Sequence, residues 1–111
     1  MAKEKKDNGL VESAEIKRLK RKFGLELLWP FLLSILKKKP MHAYSIKKEI
    51  YKKFGIKVGN VLCYVVLNRL EARGYIKSKH KENRKIYYMT QKGKKLLQLG
   101  KKILKERFSK I

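Results

Sequence analysis

The chain has 111 residues and a mass of 13.2 kDa, with 31 Lys and Arg against 9 Asp and Glu, a formal net charge of +22. A hydrophobic fraction of 43% suffices for one folded domain with one core and excludes global disorder. The charge selects a polyanionic partner, which leaves DNA, RNA or an anionic membrane surface.

The arginines are Arg18, Arg21, Arg69, Arg73, Arg84 and Arg107, and every other cationic side chain of fixed charge is a lysine. Lysine neutralises phosphates as a point charge, whereas arginine reads guanine through two parallel hydrogen bonds. The balance favours backbone binding over rich base reading. A lysine-rich solvated surface of the thermophile kind would pair Lys with Glu, and Glu is scarce here.

In chain order, residues 1–9 (MAKEKKDNG) are expected to form a mobile basic tail, with no signal-like apolar run behind it. Residues 10–24 predict a basic amphipathic helix with Ile16, Leu19 and Phe23 on one face, ended by Gly24. A second helix is expected over residues 25–38, with Pro30 either kinking it or lying in the first turn of a helix that begins near Trp29. Its apolar run, residues 25–36, covers only ~12 residues where a bilayer span needs about 20, so it predicts a buried core helix. A helix over Ala43–Phe54 ends at Gly55, and a third runs from Asn60, read as an N-cap, to about Arg73, closed by Gly74. The period then changes. Residues 75–80 and 84–89 predict two strands joined by a turn at Lys81, Glu82 and Asn83. Thr90 caps a last helix, about Gln91–Ser109.

The expected architecture is therefore mainly α with a small two-stranded β wing: a winged helix-turn-helix over residues 25–90, with extra N- and C-terminal helices. A helix of this kind fits the major groove, a preceding helix braces it, and a basic hairpin lies on flanking phosphates.

Three stretches of local wording sharpen this. The first is Pro40, Met41, His42, Ala43, Tyr44. The second is Tyr64, Leu67, Leu70, Glu71, Gly74, Tyr75, Ile76. The third is Tyr87, Tyr88, Met89, Thr90 and Gly93. In this order they resemble the PadR-like transcriptional regulators over residues 29–97. The resemblance implies a DNA-binding regulator that dimerises through its last helix together with its first helix region. One departure stands out: where the family opens its recognition helix with Ser-Pro-Gly-Thr-Leu-Tyr, this chain has Gly59, Asn60, Val61, Leu62, Cys63, Tyr64.

Helical phasing puts Cys63, Val66, Leu67 and Leu70 of the recognition helix toward the core. Val61, Tyr64, Val65 and Asn68 remain for DNA, with Arg69 on the edge. Asn68 suits adenine and Val65 a thymine methyl, while Asn60, Tyr64 and Arg69 suit phosphates. Alternatively, Val61, Leu62 and Val65 pack against the N-terminal helix. In the hairpin, Lys77, Lys79, Lys81, Arg84 and Lys85 are the expected phosphate contacts. Leu96, Leu99, Ile103, Leu104 and Phe108 form the expected dimer interface, and Gly100 would permit close helix approach. Trp29, Phe23 and Phe31 either line a pocket for a small apolar effector or belong to the core.

Cys63 is expected in the core. A lone cysteine excludes an intrachain disulfide and fits a reducing, cytoplasmic setting. The two histidines have no metal-site spacing, and no catalytic constellation is legible, so no enzyme activity, metal or cofactor is expected. The leading reading is a sequence-specific regulator of transcription, a repressor by preference, acting as a homodimer on duplex DNA at the nucleoid. A non-specific DNA-coating protein is the alternative, and a ribosomal-type RNA-binding winged helix comes third.

Overall fold

The computed structural model describes residues 13–111, so the expected tail at residues 1–9 lies outside the described residues. Helix α1 spans Ala14–Glu26, with Ser13 Oγ accepting from the Ile16 N–H at its start. It runs through Gly24 and breaks at Leu27, two residues beyond the expected end. The reason is Pro30. It has no N–H to give the Glu26 carbonyl and its ring would collide with that carbonyl in a continuous helix. Pro30 instead occupies the first turn of α2, Leu28–Lys38. Glycine at 24 only weakens a helix, so the proline two turns later decides the boundary.

Helix α2 is the centre of the core. Leu28, Leu32, Leu33, Ile35 and Leu36 are buried, and α1, α3, α4, α5 and the sheet all pack on this helix. A two-residue strand, β1 (Met41–His42), follows Pro40 and leads into α3 (Ala43–Phe54). On α3, Ile46 and Ile50 are fully buried, while Tyr44 and Tyr51 point outward. Gly55, at φ +71°, ends α3 in the left-handed conformation that suits glycine. Helix α4 spans Asn60–Ala72. Its N-cap is Gly59, not Asn60. Asn60 is the first helical residue, and its Oδ1 accepts from Lys47 Nζ on α3 instead of from its own helix.

The hairpin is formed by β2 (Ile76–Lys81) and β3 (Arg84–Met89), with Lys81 paired to Arg84. The turn is therefore two residues, Glu82 and Asn83, both with positive φ (53° and 65°), the twist that matches right-handed strands. β1 adds to the free side of β3, giving an antiparallel sheet of order β1-β3-β2. Two residues are too few for periodicity to reveal, so the third strand was not expected. Helix α5 spans Gln91–Phe108. Among the described residues no helix is long and apolar enough to cross a membrane.

The junction between sheet and α5 is tight. Thr90 Oγ1 donates to the Gly74 and Tyr75 carbonyls and accepts from the Gly93 N–H, capping α5 while tying it to the end of α4. A Cβ on Gly93 would lie 2.1 Å from the Tyr75 carbonyl oxygen and 2.9 Å from Met89 Cγ. Both neighbours are held, so neither can yield without moving the wing. Gly93→Ala is expected to cost about 3 kcal/mol, the upper range for forced overpacking. Thermal unfolding should then shift down by at least about 10 °C; an unchanged melting temperature would show that the junction has slack.

Candidate nucleic-acid interface

Helix α4 is held by one face. Cys63, Val66, Leu67 and Leu70 are buried, as the phasing predicts. The opposite face carries Asn60, Val61, Tyr64, Val65, Asn68 and Arg69, all exposed. Val61 is 79% exposed and Tyr64 49%. Of the three apolar residues with two possible roles, only Leu62 turns inward. It is partly buried, and a Cβ on Gly24 of α1 would sit 3.7 Å from its Cδ2. Val61 and Val65 stay outside as a solvent-facing apolar pair.

Arg69 lies on the edge, with Arg73. Both line a cavity of about 410 Å³ together with Glu26, Trp29, Tyr75 and Leu96. The aromatic trio considered for an effector pocket is thus divided. Trp29 belongs to this charged cavity, where its ring packs on Gly100 of α5 so closely that a Cβ there would come within 2.6 Å. Phe23 lies tilted against Phe31, which meets Phe54 edge-on. Gly100 therefore serves a close contact inside the chain.

Strand register sorts the wing cations by face. Opposed residues share a face and alternate along the strand. Lys77, Lys79, Lys81 and Arg84 lie on the face of Ile86 and Tyr88, with Lys79 Nζ 5.8 Å from the Tyr88 ring centre. Lys85 lies on the opposite face, with Ser78 and buried Tyr87. There its Nζ is 3.6 Å from Glu71 of α4, whose other oxygen accepts from Ser78 Oγ at 2.5 Å. Lys85 is thus partly neutralised where the other four are not. Tyr87 is 1% exposed; burial first, and Glu71 second, raise its pKa and keep its hydroxyl neutral.

These elements converge on a notch of about 410 Å³ lined by Tyr44, Tyr64, Asn83, Arg84, Lys85 and Tyr87, where the recognition helix meets the wing. Tyr44, 66% exposed, lines this notch but is absent from the contacts expected from the sequence. The available signal was Lys48, one turn later on the same face, whose Nζ lies 5.4 Å from the Tyr44 ring centre. On α5, Leu99, Ile103 and Phe108 form an exposed stripe, whereas Leu96 packs against the core of its own chain and Leu104 is half-buried. Among the described residues no group of three or more His, Cys, Asp and Glu could hold a metal ion.

The family model described as "Transcriptional regulator PadR-like family" matches residues 32–99. Among solved structures, the chain is similar to a PadR family transcription regulator from Clostridium difficile. The two share 30% identity over 74% of this chain and 88% of that one, with a TM-score of 0.65. It is also similar to a transcriptional regulator from Clostridium thermocellum, at 26% identity over 81% and 95%, TM-score 0.67. A third similarity is to F93, a winged-helix DNA-binding protein from STIV, at 18% identity over 70% and 86%, TM-score 0.63; at that identity it speaks for the fold alone. No curated protein sequence matches the chain.

Cys63 faces the core directly behind this surface. Burial pushes its thiol pKa up, and the Lys47 charge opposes this only in part. The reactive thiolate is disfavoured and the sulfur is inaccessible. In the native protein Cys63 should react with a soluble thiol reagent at least about a hundredfold more slowly than in the unfolded chain. Comparable rates would place a sensor-like opening of α4 within reach.

Proposed function

Because the chain belongs to the PadR-like family of transcriptional regulators, we propose that this DNA-binding protein is a site-specific repressor that occupies duplex DNA as a homodimer. The observation that carries this reading is the outward face of α4, Asn60 to Asn68, flanked on one side by the cationic hairpin. That face enters the major groove. Asn68 addresses an adenine edge and Val65 a thymine methyl, while Asn60, Tyr64 and Arg69 hold phosphates. Lys77, Lys79, Lys81 and Arg84 lie along the flanking backbone, and Lys85 contributes less because Glu71 already pairs with it.

The exposed Leu99, Ile103 and Phe108 stripe supports dimerisation through α5, with Leu96 and Leu104 at its inner margin. A two-fold dimer presents its recognition helices about 34 Å apart and calls for an inverted-repeat site. Its place of action is the cytoplasm, at the nucleoid. A second reading, a non-specific DNA coat, is favoured by the +22 charge and by the apolar Val61 and Val65 pair, which read few base edges.

A selection from genomic fragments in excess non-specific duplex separates the two readings. Enrichment of a few fragments sharing an inverted repeat supports the regulator, with a specificity ratio on the order of 10³–10⁷; even recovery of all fragments supports the coat and sinks the regulator. Tyr64→Ala or Asn68→Ala should alter which sequences are bound. Lys79→Ala should instead weaken all sequences alike and reduce the salt slope by about 1. The double variant Leu99→Asp with Ile103→Asp should sediment as a monomer and lose the paired half-site footprint; a parent protein already monomeric at footprinting concentrations would remove the dimer.

A further inference from the structure

His42 ends β1 and immediately precedes α3, so its ring touches two elements at once. It pairs opposite Ile86, and Arg84 lies two residues earlier on the same face of β3. Nε2 lies 2.6 Å from Arg84 Nη1, while Nδ1 lies 3.0 Å from Ser45 Oγ and 3.4 Å from the Ser45 backbone nitrogen. A guanidinium nitrogen only donates, so in the tautomer that bonds Arg84 Nε2 is bare and a neutral imidazole carries its proton on Nδ1. That proton goes to Ser45 Oγ. The Ser45 backbone N–H also points at Nδ1 as a cap of α3, and this cap competes with the Arg84 bond, because accepting it would move the ring proton to Nε2. Arg84 donates to His42, and His42 donates to Ser45.

The other groups around the ring are Lys38 and Lys39 from the end of α2, Glu49 from α3, and Tyr44, Tyr64, Tyr87 and Lys85 at the notch. Glu49 is the one acid among these neighbours. An imidazolium here would face Arg84 with no lone pair to offer and mostly positive company.

We propose that His42 is a positioning residue for the wing: its neutral ring holds the Arg84 guanidinium at the notch between Tyr44, Tyr64 and the hairpin tip, where a backbone phosphate of bound duplex sits, and protonation of the ring releases it. The phosphate half rests on the DNA-binding reading above; the His42–Arg84 bond does not. The device works because a protonated imidazole has no lone pair for a guanidinium to donate to. With the ring neutral Arg84 is held ready, and with the ring charged it is free and must be ordered again on binding.

Nitrogen-resolved NMR of the free full chain tests the bond without DNA. At pH 8 His42 should show the Nδ1–H tautomer, and on acidification the Arg84 side-chain signals should move together with the His42 ring signals. In His42→Asn they should stay still. Asn at 42 can cap α3 with its own Oδ1, so this variant keeps the helix start while lacking the reach to Arg84. On duplex DNA at pH 8, Arg84→Ala should weaken binding about tenfold, the size of one charge-assisted hydrogen bond. His42→Asn should weaken it about 2- to 10-fold, the cost of ordering one long side chain, and should have no effect in the Arg84→Ala background. An Nε2–H tautomer, Arg84 signals indifferent to the ring, or an equal His42→Asn penalty with and without Arg84 would each overturn the proposal. Failure of the parent protein to bind any duplex at pH 8 would instead remove the phosphate contact and the DNA reading, leaving the NMR outcome to judge the bond alone.

Discussion

Everything in this molecule depends on one largely apolar helix buried inside a very positive chain. With a formal charge of +22, the described residues bury no polar or charged side chain, and the core must come from apolar surface alone. Leu28, Leu32, Leu33, Ile35 and Leu36 of α2 supply its middle, each worth roughly 1.5–3 kcal/mol of burial. The recognition helix, the bracing helix, the sheet and α5 all take their positions from that helix. Self-repulsion among the surface lysines works against this arrangement. It is visible where α2 and α3 end side by side: Lys38 beside Lys53 lowers the Lys53 pKa.

The acids are too few to neutralise the surface, but Glu71 sits where two elements must be aimed. Glu71 accepts from Ser78 Oγ and pairs with Lys85, fixing the base of the hairpin against the end of α4. Thr90 and Gly93 do the same work with backbone groups, pinning α5 to the residues that leave α4. Exposed ion pairs of this sort add at most about 1 kcal/mol each. Their effect is geometric: they hold the basic wing beside the outward face of α4, with Tyr44 and Tyr64 across the join.

Apolar surface is divided between two uses. Trp29 and Gly100 spend the middle of α5 on the chain's own core, leaving only Leu99, Ile103 and Phe108 outside. On α4, Leu62 turns in against α1, whereas Val61 and Val65 face solvent. An apolar pair at that place suits a thymine methyl more than it suits water.

Local chemistry made most of the elements legible in the sequence. Gly55 and Gly74 end helices, Thr90 begins one, and the change of period after Gly74 marks the hairpin, because each signal acts within one turn of chain. The buried face of α4 followed from phase alone, since Cys63, Val66, Leu67 and Leu70 lie one turn apart. What the sequence could not decide were choices between distant partners. Whether Leu62 or Val61 turned inward, and what Gly100 lies against within the chain, depended on which surface lay opposite. The same holds for Lys85, whose charge is claimed by Glu71, and for His42, whose ring meets Arg84 only because β1 pairs with β3. Periodicity reports which face of an element is buried. Only packing reports what that face, and each cation beside it, is held against.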